Sequence, residues 1–481
     1  MKTYLISDEM DELIEKLRAT NVSPTNSSDN TTTILSEISA TKDPKLFDKY
    51  DLAEFFLNLT QSNNVNVRKE AAKCIAEITK SEVQRKKFTK LEIIKVFIDC
   101  LRNVNSDTEN MELPIQICRA LGNICYLNDE ARDIILDLKG DYVLIKLLDI
   151  IDIKDKTNAL QFVKVRGGLL SNYLLGGEGL AKRAMELEIM QKFQNIIAVG
   201  VENVEENEDL LLNTLPLMSI LTENVPDLNF DATLNIQLSR ILAASTNPDL
   251  AEMCLELLHY QAENDDVKLL LAKDGLCETI YQLLEKYKTL ASTSEARALM
   301  KLACELIVLI LTGGKLRKYF QNFILKQFQF NNLFFNLDES MHYLYSTSLL
   351  KNMEDWLESD DVDLLTTGVL ALGNFARTDS HCIHMVENKV MNKLLEVLAK
   401  NNGVKDDVRL QHALLSTLRN LVIPKPNKGA VIQAGLVETI LPMLEIHQPP
   451  VVFKLLGTLR MTVDSQGKNI YTFILNNHIK K

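Results

Sequence analysis

An all-α solenoid of stacked helical repeats follows from three features of this 481-residue sequence. Glycine and proline are scarce, at 18 and 11 residues, in a chain that is 46% apolar. Such a composition supplies a core but few turns, and it favours helices. A short apolar segment carrying a polar residue near its end recurs along the chain. No stretch alternates apolar and polar residues with the period of two that a half-buried strand needs.

The elements follow in chain order. Met1 to Lys16 carries Asp8, Glu9, Asp11, Glu12 and Glu15 and lacks the apolar centre of a signal peptide, so it reads as a leading helix. The run from Asn21 to Thr33 is polar and reads as a loop. Residues 1–62 are therefore predicted to be an N-terminal helical cap with a loop near 21–33, followed by a repeat array over 63–481. The repeat is clearest in Arg119-Ala-Leu-Gly-Asn-Ile-Cys125, Leu370-Ala-Leu-Gly-Asn-Phe-Ala376 and Leu415-Ser-Thr-Leu-Arg-Asn-Leu421. Aligning these with weaker copies makes Glu77, Asn123, Asn172, Ser219, Tyr260, Leu309, Asn374, Asn420 and Met461 equivalent. Successive positions lie 41 to 49 residues apart, except for the 65 between Leu309 and Asn374. Spacings of ~40–47 residues mark an armadillo or HEAT unit. The expected architecture is a right-handed superhelical armadillo solenoid of about nine units, with an insertion near 312–360. Within that insertion the aromatic run Phe320 to Asn336 reads as irregular.

A second landmark supports the register. Gly275-Leu-Cys-Glu-Thr-Ile-Tyr-Gln-Leu-Leu284 and Gly435-Leu-Val-Glu-Thr-Ile-Leu-Pro-Met-Leu444 are near copies, each opening a helix after a short turn. Pro114, Pro248 and Pro450 recur near the start of the long final helix of a unit, where a missing N–H costs nothing. Asn247 is placed to cap the helix that Pro248 opens.

Several classes of function are excluded. A net charge of −12 opposes a nucleic-acid backbone as the main partner. Apolar runs such as Leu306 to Leu311 are far shorter than the ~18 residues of a membrane span. The eight cysteines form no C-x-x-C pair and read as buried thiols of a reducing compartment, so a cytosolic protein is expected. The Gly-rich runs lack the Gly-Lys-Ser/Thr ending of a phosphate loop. His381, Cys382 and His384 form one cluster without further ligands, so no metal is expected. No nucleophile–base pair is recognisable; no cofactor and no catalytic residue are assigned, and the protein is not expected to be an enzyme.

Repeats of this kind line a concave groove with their last helices. Counting back from Tyr260 at helical spacing gives Glu256, Glu252 and Asp249 on one face, with Leu250, Met253, Leu257 and Leu258 on the other. Clustered carboxylates at such a position suit a cationic peptide or polybasic tail; a solvated face is the alternative. Asn123, Asn172, Asn374 and Asn420 form a row of amides along the same groove, able to fix an extended peptide backbone or to bond to the neighbouring unit. Importin-type solenoids add groove tryptophans to such a row, whereas the one tryptophan here, Trp356, lies off it.

The blocks Gly373-Asn-Phe-Ala-Arg-Thr-Asp-Ser-His-Cys-Ile-His-Met-Val386, Gln411-His-Ala-Leu-Leu-Ser-Thr-Leu-Arg-Asn-Leu-Val-Ile-Pro424 and Pro449-Pro-Val-Val-Phe-Lys-Leu-Leu-Gly-Thr-Leu-Arg-Met461 resemble the smg GDP-dissociation stimulator family of armadillo-repeat proteins. The resemblance runs from about Asn64 to Asn469. It implies binding of small GTPases of the Rho, Rap and Ras groups that carry polybasic, often prenylated, C-terminal tails. It also implies a chaperone role and non-covalent stimulation of GDP release, with an isoprenyl group entering a pocket between repeat helices. The family's electronegative patch falls on Asp249 and Glu252, and its groove asparagines fall on Asn374 and on Thr378, which departs from asparagine. The resemblance extends the cytosolic expectation to nucleus, endoplasmic reticulum and mitochondrion. The closing segment Asn469 to Lys481 matches nothing in the family, whose members usually continue with further repeats. A scaffold that binds basic segments without nucleotide exchange is the alternative function.

Overall fold

The computed structural model describes residues 2–19, 29–41, 43–290, 293–312 and 339–464. Among these there are helices and no strands, and the packing divides into two compact units between Asn229 and Phe230. The aromatic run Phe320 to Asn336 and the closing segment Asn469 to Lys481 lie outside the described residues.

All nine equivalent positions fall in helices, here numbered α1 to α9. In the first unit these are α1 (Val65–Ile78), α2 (Glu112–Cys125), α3 (Ala159–Leu174) and α4 (Leu215–Asn224). In the second they are α5 (Pro248–Gln261), α6 (Ser294–Leu311), α7 (Val362–Phe375), α8 (Val408–Leu421) and α9 (Pro449–Val463). Within each unit every such helix packs on the next. The buried faces are those that a 3.6-residue period predicts; on α5 they include Leu250, Cys254, Leu257 and Leu258. Asn247 caps α5 as expected, its Oδ1 accepting the N–H groups of Asp249 and Leu250 at 2.9 and 3.4 Å.

Two hydrogen-bonding devices hold the long helices in place, one between repeats and one within them. One runs backwards: Asn123 Nδ2 donates to Ala76 O at 2.6 Å, Asn172 to Gly122 O at 2.9 Å, and Asn420 to Gly373 O at 3.2 Å. The other runs within a repeat, from its first helix, which follows the previous long one, to the end of its own long helix. Arg132 Nε donates to Asn172 O at 2.9 Å, Lys268 Nζ to Thr312 O at 3.0 Å and Lys428 Nζ to Asp464 O at 2.6 Å. Each of these carbonyls lies at a helix C-terminus, where backbone acceptors lack partners within the helix and a cation is favoured. These carbonyls give the buried Arg132, Lys268 and Lys428 partners, and Arg132 and Lys268 also pair with Asp129 and Asp265.

The turn before the second landmark helix takes the left-handed conformation in five repeats. Glycine holds it at Gly275 and Gly435, while Lys139, Glu188 and Lys389 adopt it with φ of 54°, 61° and 63°. The side chains there accept a local strain that glycine avoids.

One sequence expectation is corrected. Asp29 to Thr33 is the opening of a helix, Asp29–Ser39, rather than the end of a loop, because burial of Ile34, Leu35 and Ile38 at helical spacing carries the polar residues into its first turns. Within the interval of the expected insertion, the helices Glu339–Tyr345 and Leu349–Asp355 and the 3₁₀ turn Trp356–Glu358 bury Met341, Leu344, Leu349, Met353 and Trp356.

The shared Ala-Leu-Gly-Asn motif has opposite tolerances in its two copies. A Cβ on Gly373 would lie 2.4 Å from Thr417 Oγ1, which is itself committed to Val369 O at 3.0 Å. A Cβ on Gly122 would come no nearer than 3.4 Å, to Leu169 Cα. Gly373→Ala is therefore expected to destabilise by about 1–3 kcal/mol. Gly122→Ala, which gains helix propensity, should change stability by less than about 1 kcal/mol. Urea denaturation of the two variants checks this, and equal losses would refute the packing argument.

Candidate partner-binding groove

In the second unit the exposed faces of α5 to α9 enclose a cavity of about 740 Å³. Val308, Leu309 and Leu370 give it an apolar floor, and His259, Lys301 and His412 stand on its walls. Its volume and mixed lining are those of a ligand or anchor pocket. Because His259 of α5 lines it, the helical period places Glu256, Glu252 and Asp249 on the same side of that helix. All three carboxylates are exposed.

Asp249 and Glu252 form no ion pair among the described residues, in contrast to several other carboxylates of the ladder helices. Glu77 of α1 bonds to Lys80 and Arg119. Burial opposes its ionisation, but those two hydrogen bonds prevail and hold its carboxyl below the ordinary value. At the edge of the second-unit cavity Asp361 pairs with Arg297 at 2.7 Å, and Asp407 pairs with Arg409 at 3.0 Å. Glu223 of α4 and Glu295 of α6 also lack an ion pair among the described residues, so what sets α5 apart is three exposed acids at one helical spacing.

The amide row is occupied by the fold itself. Asn420 spends its N–H on Gly373 O, and Asn374 donates to Thr312 Oγ1 at 3.4 Å while its Oδ1 accepts from Arg377. Of the two uses open to these amides, bonding to the neighbouring repeat is the one seen, and it leaves the Asn420 oxygen for a ligand. Thr378 lies beyond the end of α7 and caps the helix Asp379–Glu387, accepting the His381 N–H at 3.3 Å. The structure thus gathers Asp249, Glu252 and Glu256 on α5, sets Asn374 and Asn420 on neighbouring helices, and gives Thr378 a capping role.

The two histidines of the cluster share Tyr345 as a partner, while the cysteine turns to Asn420. The His381 ring stacks on Tyr345 at 3.6 Å between centroids, His384 Nδ1 meets Tyr345 Oη at 2.7 Å, and Cys382 Sγ is buried against Asn420 O at 3.5 Å. Among the described residues no group of three His, Cys, Asp or Glu is placed to hold a metal. Burial pushes His381 below the ordinary histidine value, and His342 and His384 add to this against the Phe375 carbonyl bond. A folded-state value below the unfolded one makes neutral His381 stabilising above about pH 6.5, a contribution lost as the pH falls through the folded value. Melting temperature should therefore drop between pH 7.5 and 5, and His381→Gln should flatten that drop; an unchanged slope would exclude His381 as its source.

Sequence inspection missed a basic group in the same groove. Arg419 of α8 and Lys454 and Arg460 of α9 line a second, smaller hollow. A signal existed: aligning the ladder puts Arg419 and Arg460 at equivalent positions, each one residue before the ladder residue.

Stacked helices with C-terminal carbonyls clamped by a cation from the first helix of the same repeat, around a groove lined by each unit's last helix, define an armadillo-type repeat protein. The same fold occurs in an engineered protein (TM-score 0.60, 19% identity, covering 94% of this chain and 98% of that one). It also occurs in a chain from a structure of a phosphorylation switch controlling the cadherin–β-catenin interaction (TM-score 0.50, 15% identity, 94% and 90% coverage). No family model matches the chain. Among curated proteins it is 76% identical over 460 residues to the Drosophila melanogaster GTPase-GDP dissociation stimulator vimar, covering 96% of this chain and 68% of that one. It is 28% and 29% identical to the Xenopus laevis Rap1 GTPase-GDP dissociation stimulators 1-A and 1-B, spanning 64% of each. The chain belongs to the GTPase-GDP dissociation stimulator family. No helix among the described residues is long and apolar enough to cross a membrane.

Proposed function

We propose that this chain binds small GTPases of the Rho, Rap and Ras groups in the groove of its second unit and stimulates release of their GDP without covalent chemistry. The polybasic C-terminal tail of the client lies over Asp249, Glu252 and Glu256, with Asn374, Thr378 and Asn420 further along. An isoprenyl group, where the client carries one, enters apolar space between repeat helices, and this shielding makes the protein a chaperone as well. The observation that carries the reading is the acidic face of α5, where Asp249 and Glu252 stand exposed and unpaired beside a groove whose other carboxylates are neutralised. A cationic segment supplies the charge this face lacks.

Fluorescent-GDP release from a Rho-type GTPase, with its tail intact or deleted, tests the proposal. Acceleration by this chain that needs the tail is the expected result. Binding without acceleration would leave a scaffold or holding role and remove the exchange activity. Acceleration that ignores the tail would remove the acidic face from the mechanism.

A further inference from the structure

The second-unit groove carries charge of both signs, and its basic end is as unpaired as its acidic one. Arg419, Lys454 and Arg460 converge on a hollow of about 300 Å³ between α8 and α9. None of them makes an ion pair among the described residues. The Arg419 side chain lies across α9 at Gly457, where a Cβ would stand in ordinary contact at 3.6 Å from Arg419 Cδ and 3.7 Å from its Nε. That Nε is buried and has no hydrogen-bond partner among the described residues. Burial lowers the Lys454 ammonium below its ordinary value, and Arg419 lowers it further. In a chain of net charge −12, three cations held together with a donor left over are an arrangement that an anion relieves.

Beside the cations, Phe453 and Leu456 are 73% and 57% exposed. Large apolar side chains at that exposure would be left in water by a bare phosphate but covered by a protein segment. The net negative charge argues against a nucleic acid.

We propose that Arg419, Lys454 and Arg460 form a carboxylate-binding site for an acidic segment of the protein partner, with Phe453 and Leu456 receiving an apolar side chain beside its carboxylates. The proposal rests on the groove being a protein-binding surface. It adds polarity to that surface: a basic segment at α5 and an acidic one at α8 and α9, so that a partner docks in one direction only. Guanidinium groups suit this role because they grip carboxylates with two parallel N–H bonds.

Two labelled peptides, one of alternating Glu and Leu and one rich in Lys, test this by fluorescence anisotropy on the full chain. The Glu-Leu peptide is expected to bind and to lose about tenfold or more in affinity with Arg419→Gln combined with Arg460→Gln. The Lys-rich peptide should bind that variant as it binds the parent. Lys454→Gln alone, a milder change, should give an intermediate loss, and unchanged melting curves show that the variants fold. Failure of the Glu-Leu peptide to bind the parent, or equal binding to parent and variants, overturns the site. Competition by inorganic phosphate as effective as by the peptide would show a simple anion site and overturn the protein-segment assignment. Loss of the Lys-rich peptide from the parent would instead sink the tail-binding reading, leaving the Glu-Leu result to decide this one.

Discussion

Reversing two of the three exposed acids of α5, Asp249→Lys with Glu252→Lys, is expected to weaken binding of a polybasic GTPase by roughly 10- to 100-fold at low salt. Exposed ion pairs contribute about 0.2–1 kcal/mol each. Reversal removes two attractions and adds two repulsions of similar size, and several tail lysines feel each charge. The effect should shrink as salt rises, because both groups lie in water where a Debye length is about 8 Å at physiological ionic strength. Stability should fall only slightly: Asp249 stands in the first turn of α5, where an acid contributes about 0.3–1 kcal/mol, but neither carboxylate has an ion-pair partner among the described residues to lose. Titration of a tailed and a tail-deleted GTPase against the double variant gives the answer. Unchanged affinity for the tailed form would remove α5 from the binding surface.

The acidic face and the ladder are legible in the sequence for the same reason. Both depend on helical spacing within one segment, and a period of 3.6 residues is a property of local chain geometry. Counting back from Tyr260 finds Glu256, Glu252 and Asp249 without knowledge of any neighbour. What escapes is whatever depends on the next repeat. That the amide of Asn420 is consumed by Gly373 O is decided by how closely α7 and α8 approach, which no count within α8 reveals. The pairing of Asp361 with Arg297 is likewise a contact across 64 residues of chain. The helix beginning at Asp29 escapes because its polar first turns look like the loop before them, and only burial of Ile34, Leu35 and Ile38 selects the helix. The basic cluster falls between these cases. Arg419 and Arg460 repeat visibly at one register, but their convergence with Lys454 depends on how α8 and α9 pack, which the spacing within either helix does not reveal.

The largest expected loss of stability follows removal of the indole of Trp356. It is the chain's one tryptophan and is 1% exposed. It stacks on Tyr281 at 5.2 Å between centroids, and its Nε1–H donates to Glu285 Oε1 at 2.7 Å, so it joins its own repeat to the helix Leu276–Lys288 of the repeat before. The fit extends to the far side, where a Cβ on Gly368 of α7 would stand 3.1 Å from the Trp356 Cβ. Trp356→Ala should cost about 3–5 kcal/mol, because the cavity left between two repeats cannot close without moving a whole helix. Trp356→Phe keeps a stacking ring but loses the hydrogen bond and part of the volume, and should cost less. In a repeat array stability is carried by interfaces between neighbours, so the loss should appear in melting of residues 230–464, followed by hydrogen exchange, before it appears in residues 43–229. A uniform loss of protection across both units would mean that they unfold as one, and would refute Trp356 as a local tie. Because the acidic face of α5 and the basic cluster of α8 and α9 belong to the unit that Trp356 holds together, the alanine variant should also lose affinity for the basic and the acidic peptide alike, whereas each charge variant affects one of them.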